Sequence, residues 1–222
     1  MIKTVILDFD GTIADTKSII LKTLHQTIDE YGMAQPSDDN CAATIGLPLD
    51  ETFVRLLGID RSEGLRCAAI YRRLFEVNNT ADAVRMFPNV ADTIRRMHAD
   101  GLTLTIASSR GHHSLADFVS RFGLEDCFSA IIGADDVKKA KPDPEPVNII
   151  LQRLGSDAAS AIVVGDTAFD ITMGRHAGTH TCGVTYGNGT RDELEQSGAG
   201  SVIDDFAQLP DVIARTTDGN TL

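Results

Sequence analysis

TVILDFDGTIADT, residues 4–16, is the stretch on which the fold turns. It opens as a β-branched apolar run that reads as a buried strand, then sets Asp8, Asp10 and Asp15 into or just past that run. Carboxylates repel one another and resist burial. Acids at the mouth of a strand therefore serve either a chemical task or a turn that returns the chain to solvent. What else the chain brings to the same place decides between them.

Working outward, similar short runs recur: LTLTIAS (102–108), SAIIGA (129–134), SAIVVGD (160–166) and HTCGVT (180–185). They are nearly continuous apolar segments, the pattern of parallel strands covered on both faces. Helical stripes separate them. Val90, Ile94 and Met97 precede a stop at Gly101; Leu115, Phe118, Val119 and Phe122 precede Gly123; Val147, Ile150, Leu151 and Leu154 precede Gly155. Strand and helix in alternation predict a doubly wound α/β fold with a parallel sheet.

The alternation breaks between residues 17 and 83, where no convincing strand occurs. Ile20, Leu21, Leu24 and Ile28 form a helical stripe before Gly32, and Leu49, Phe53, Leu56 and Leu57 form another before Gly58. A third patterned stretch runs over 62–75. An interval this long is expected to fold rather than remain a loop. The expected organisation is a core of residues 1–16 and 84–222, interrupted by an all-helical module at 17–83 on linkers near 11–16 and 83–88. The tail from Thr216 is expected to fray.

Composition narrows the function. Hydrophobic residues at 42% and charged residues at 23% describe an ordinary globular chain able to bury a core. A formal charge of −12 argues against broad phosphate-backbone binding, so nucleic acid is not an expected partner. It does not exclude a small anionic ligand, because one metal ion or lysine can reverse the local sign. No apolar stretch approaches the roughly 20 residues that span a bilayer, and no leader pattern follows Met1. Cys41, Cys67, Cys127 and Cys182 show no CxxC spacing and read as free thiols. A cytoplasmic protein with no membrane association and no obligate protein partner is expected.

Ligands of open parallel sheets bind beyond the carboxyl ends of the strands. Asp8, Asp10, Gly11 and Thr12 follow the first strand; Ser108, Ser109 and Arg110 follow the second. KKAKPDPEP, with Lys141, comes after the third, and GDTAFD, with Asp166 and Asp170, after the fourth. Four carboxylates beside one lysine are unbalanced, so a divalent cation is the natural neutraliser, and oxygen-only ligands favour Mg²⁺. A carboxylate can attack phosphorus to form an aspartyl-phosphate, and phosphoryl transfer needs neutralised oxygens held in line. Asp8 is the expected nucleophile. Asp10, two residues on and so on the same side, is expected to protonate the leaving oxygen and then deprotonate water. Ser108 and Lys141 are expected to hold the phosphoryl oxygens, and Asp166 and Asp170 the metal.

DFDGT, the Ser ending the second strand, KPDPEP and GDTAFD resemble the four motifs of the haloacid dehalogenase superfamily, in their usual order, over nearly the whole chain. The resemblance implies a Rossmann-like core, a helical cap inserted after the first motif, Mg²⁺ as cofactor and Asp8 as nucleophile. It also implies that Asp8 and the backbone carbonyl of Asp10 are metal ligands beside Asp166 and Asp170. Many relatives carry Thr-Asn-Lys where this chain has Ser108-Ser109-Arg110. Ser109 and Thr12 are expected to join Ser108 and Lys141 at the phosphate, although Thr12 equally suits a turn.

Dehalogenating and phosphonate-cleaving relatives lack an acid at the place of Asp10, so its presence implies phosphate esters or anhydrides. The loop ATIGLPLDE (43–51) offers Thr44, Gly46 and Leu47 as the cap specificity residues and contains no cation. That favours a phosphatase of small phosphorylated metabolites similar to phosphoglycolate phosphatases. A pyrophosphatase and a β-phosphoglucomutase-like phosphomutase are the alternatives. A receiver-type phosphorylation switch would be shorter and lack Asp10.

The plainer readings are these. Asp15 suits a helix start, Asp143 and Glu145 a solvated proline-bracketed turn, and Asp135 and Asp136 loop or N-cap positions. The six histidines read as surface or packing residues, GNG (187–189) as a tight turn, and Arg66, Arg72 and Arg73 as a solvated helix face.

Overall fold

The structure, a computed structural model, describes residues 1–80 and 82–217. The last residues of the tail expected to fray, 218–222, lie outside the described residues; Thr216 itself is in the final helix.

Five predicted strands form as β1 (Thr4–Leu7), β4 (Thr103–Ala107), β5 (Phe128–Ile132), β6 (Ala161–Gly165) and β7 (His180–Val184), joined by a sixth, β8 (Ser201–Ile203). All pairings in this sheet are parallel, in the order β5-β4-β1-β6-β7-β8. The chain leaves β1 in one direction for β4 and β5, then returns past it to build β6, β7 and β8. β1 therefore sits where the winding reverses, the position at which such sheets open a crevice.

Alternation along β1 sorts its residues between the faces. Val5, Leu7 and Phe9 enter the larger core, with α5 (Val90–Ala99), α6 (His112–Arg121) and α10 (Leu209–Thr217). Ile6 and Val163 pack with α7 (Glu145–Leu154) and α8 (Ala168–His176) on the other face. Phe9 is fully buried against Phe118 at 5.3 Å between ring centroids. With Phe9 anchored on one face just beyond the strand, Asp8 is left to the other side at the sheet edge.

The interval without predicted strands folds as α1 (Lys17–Tyr31), α2 (Asp38–Ala42), α3 (Leu49–Leu57) and α4 (Arg61–Asn78). Gly32 and Gly58 end α1 and α3 in the left-handed conformation, φ 81° and 66°, where a side chain would be strained. Asp60 and Glu63 form a capping box that starts α4. The apolar faces of these helices, including Phe53, Tyr71 and Phe75, join the larger core of the sheet domain as one cluster.

The two linkers are not loops. β2 (Ala14–Asp15) and β3 (Arg85–Met86) pair antiparallel, Ala14 with Met86 and Asp15 with Arg85. This corrects the expectation for Asp15: α1 begins at Lys17 after Thr16, and Asp15 is an exposed ribbon residue. Glu145, read with Asp143 as part of a solvated turn, is instead the first residue of α7 and accepts from the Lys138 backbone at 2.7 Å. All four cysteines are buried and free. Asp135 accepts from the His112 backbone at the start of α6, and Asp136 accepts from the Gly133 backbone. Arg66 and Arg73 pair with Glu63 and Glu30 on exposed helix surface. Among the described residues no helix is long and apolar enough to cross a membrane.

Candidate active site

β1, β6 and the start of α8 converge on one buried group of acids. Asp8, Asp166 and Asp170 each offer a carboxylate oxygen, these atoms all lying within 4.8 Å of one another. Lys141, in the loop before α7, reaches into the group. Its Nζ donates to Asp8 Oδ1 and to Asp170 Oδ1, both at 2.6 Å, with the lysine side chain 3% exposed. Three carboxylates against one ammonium leave an excess of negative charge in a site nearly closed to water. Burial is the first cause that raises the pKa of Asp8 well above the usual carboxylate range, with Asp170 and Asp166 adding to it and Lys141 opposing. Asp166 is pushed up to about 7, first by burial and then by Asp170. Acids this reluctant to ionise, with oxygens this close, fit a dication, which would supply the missing positive charge.

Each acid is oriented by different neighbours. Asp170 Oδ2 accepts from the backbone and hydroxyl of Thr167, at 3.1 and 2.7 Å, at the start of α8. Asp166 Oδ2 accepts from the backbone and side-chain amides of Asn188 at 2.7 and 2.9 Å, and Oδ1 accepts from the Thr12 hydroxyl at 3.1 Å. Among the described residues Lys141 is the sole hydrogen-bond donor to the Asp8 carboxylate, and it takes only Oδ1. Oδ2 of Asp8 accepts no hydrogen bond from the described residues.

Gly11 shows how tightly this corner is built. Its φ is +89°, and a Cβ there would stand 2.1 Å from Asp166 Oδ2 and 2.5 Å from Asn188 Nδ2. Gly11→Ala combines a left-handed penalty of about 1–2 kcal/mol with an overlap that moves Asp166. The variant is expected to bind Mg²⁺ at least about tenfold more weakly, measured as the Mg²⁺ dependence of its thermal unfolding.

Asp10 does not bring its carboxylate into the metal-sized group. Arg110 grips it with Nη2 to Oδ1 at 2.6 Å and Nε to Oδ2 at 3.1 Å. With that carboxylate engaged, only the backbone carbonyl of Asp10 is left as a candidate ligand. The two acids of the first motif thus face different partners, a lysine for Asp8 and an arginine for Asp10.

Three of the residues expected to contact substrate already have partners within the protein. The Thr12 hydroxyl is fully buried and donates to Asp166 Oδ1. The Ser109 hydroxyl donates to the Gly46 carbonyl at 2.6 Å and so ties the sheet domain to the helical module. Thr44 donates to the Cys41 carbonyl and is 2% exposed. Gly46 packs over the Phe169 ring, where a Cβ would approach to 3.2 Å, and Leu47 is half-buried beside it. The Ser108 hydroxyl accepts from the Arg110 backbone N–H at 3.3 Å, so its own proton is available to donate.

Asn188 was legible only as a turn residue, and Arg110 carried no expected role. The strand-end argument that gathered the acids, applied to β7, would have pointed to Asn188, since the segment after Val184 reaches the same edge. Arg110 was gathered with the other strand-end residues, but nothing in the sequence paired it with Asp10.

The chain is similar to known proteins over most of its length. The family model for haloacid dehalogenase-like hydrolase matches residues 5–184. A relative named "Probable phosphatase IndB", from Dickeya dadantii, is 34% identical over 92% of this chain and 90% of its own. Pyrophosphatase PpaX of Bacillus velezensis is 32% identical over 83% of this chain and 84% of its own. Among solved structures, a haloacid dehalogenase-like hydrolase from Bacteroides fragilis superposes with a TM-score of 0.89 at 27% identity, covering 94% of this chain and all of that one.

Proposed function

Because this chain belongs to the haloacid dehalogenase-like hydrolases, we propose that it is a Mg²⁺-dependent phosphatase that hydrolyses a small phosphorylated metabolite through an aspartyl-phosphate on Asp8. The observation that carries this reading is the separation of the two acids: Asp8 lies against Lys141 inside the carboxylate group, and Asp10 lies outside it on Arg110. One is suited to attack and the other to move protons.

Asp8, Asp166 and Asp170, with the Asp10 carbonyl, would hold Mg²⁺, which when bound neutralises negative charge on the acids and on the phosphoryl group. Oδ2 of Asp8 bonds to phosphorus as the bond to the leaving oxygen breaks, and Asp10 gives that oxygen its proton. Ser108 donates its hydroxyl, and Lys141 its ammonium, to the phosphoryl oxygens. Asp10 then takes a proton from the water that attacks phosphorus. The bond to Asp8 breaks, and orthophosphate leaves with both acids restored. The helical module seated over this edge by Ser109 and Gly46 favours small substrates, since closure excludes water and bulky phosphoproteins.

Pyrophosphate is the second reading, supported by the pyrophosphatase among the relatives. A phosphomutase has less support, because the loop 43–51 carries no cation for a sugar phosphate. The test is orthophosphate release from phosphoglycolate, a sugar phosphate, a nucleoside monophosphate and pyrophosphate, each with Mg²⁺ and with a chelator. Release with Mg²⁺ alone, strongest on one of them, is expected; no release from any would refute the assignment.

A further inference from the structure

Arg110 is a cation at the site whose placement the reaction outlined above leaves unexplained. Its backbone is fixed on both sides: the N–H meets Ser108 Oγ, and the carbonyl accepts from Ala134 N–H at 2.9 Å. Its side chain is 9% exposed and lies among aromatic rings, the guanidinium carbon 4.5 Å from the Phe75 centroid, 5.2 Å from Phe118 and 5.9 Å from Phe9. Nη1 donates to Ser114 at 3.2 Å, and the fork that remains is closed on Asp10. A guanidinium held by backbone, hydroxyl and rings has little freedom to follow its partner, so the partner conforms to it.

We propose that Arg110 is a positioning residue for Asp10: its caged guanidinium fixes the direction of the carboxylate that exchanges protons with the leaving group and with water, and through Phe75 it ties that direction to the seating of the helical module. A carboxylate has about four acceptor positions, and the fork occupies one on each oxygen. One on each oxygen is left for a proton in transit. Lysine cannot replace this geometry, since a point charge on a flexible stem leaves the carboxylate free to rotate. Phe75 belongs to α4, whereas Phe9 and Phe118 belong to the sheet domain. A helical module out of place would remove one wall of the cage and loosen Asp10, which couples proton transfer to a covered site.

The inference rests on the phosphatase reading, and its test separates the two. Arg110→Lys and wild type are compared by kcat/KM on an alkyl phosphate, whose alkoxide needs a proton to leave, and on 4-nitrophenyl phosphate, whose phenolate leaves unaided. kcat/KM reports steps through phosphoryl transfer to Asp8 and is blind to the later hydrolysis common to both esters. The expected loss is about 100-fold on the alkyl ester and within about threefold on the aryl ester, with KM changed little. Phe75→Leu is expected to give the same pattern in weaker form. Arg110→Lys should also add nothing to Asp10→Asn on the alkyl ester, because both remove the same aligned proton donor. Equal losses on the two esters, a change confined to KM, or no loss would overturn the positioning role. Wild-type protein that cleaves neither ester would overturn the phosphatase reading and this role with it.

Discussion

Asp8→Asn is expected to lower turnover of every phosphate ester the protein accepts by on the order of 10³-fold or more, about 4 kcal/mol of barrier, while raising thermal stability in a chelator. The first effect follows from chemistry: a carboxamide is a far weaker nucleophile than a carboxylate. The second follows from the surroundings. Asp8 shares a water-poor corner with Asp166 and Asp170, against the single ammonium of Lys141. Asn is nearly the same size and removes one of three repelling groups. Phosphate release and a melting curve of the same preparation check both. Lost activity with lowered stability would mean that the side chain is chiefly structural. Wild-type protein quenched in acid during turnover should carry one added phosphoryl group, on the peptide containing Asp8.

Lys141→Met is expected to be the most destabilising single change at the site. Removing one partner of a buried ion pair typically costs about 3–5 kcal/mol because the remaining charge is stranded, and Lys141 serves two acids at once. The loss should grow with pH. Burial holds the pKa of Asp8 and Asp166 above the unfolded value of an aspartate. Groups raised in this way favour the folded state below the unfolded pKa, near 4, and lose that contribution as pH rises through the folded value. For Asp166 that folded value is about 7. Chelated Lys141→Met protein should therefore be markedly less stable at pH 8 than at pH 5, with Mg²⁺ restoring much of the difference. Denaturant unfolding at the two pH values, with and without Mg²⁺, is the measurement. A pH-independent loss would mean that the acids are not the source of the strain.

How much of this was legible beforehand follows from which signals are local. Five strands of four or five residues lie in apolar runs and declared themselves; β8 has three residues and did not. Three of the four helices of the inserted module, α1, α3 and α4, were readable from their stripes and from stop glycines such as Gly32 and Gly58; the five-residue α2 was not. The β2–β3 ribbon was not, because two-residue strands carry no period and exist only when distant segments meet. At the site, acids at strand ends were readable because topology alone carries Asp8, Asp166 and Asp170 to one edge. The targets of hydroxyls were not: Thr12 turns to Asp166 and Ser109 to Gly46, choices fixed by side-chain geometry over 154 and 63 residues of sequence separation. Arg110 was missed because the rings that cage it come from three separate segments.

The antiparallel ribbon has a mechanical consequence. Ala14 and Asp15 are laddered to Met86 and Arg85, so the two crossings between sheet and helices cannot bend independently. They act as a single strap, and displacement of α1–α4 is channelled into pivoting about it. A pivot with one soft direction leaves few wrong ways to come back. A displacement of α1–α4 that keeps this ladder would part Gly46 from Ser109 and Phe75 from Arg110 together, so the two contacts would be lost and regained as one.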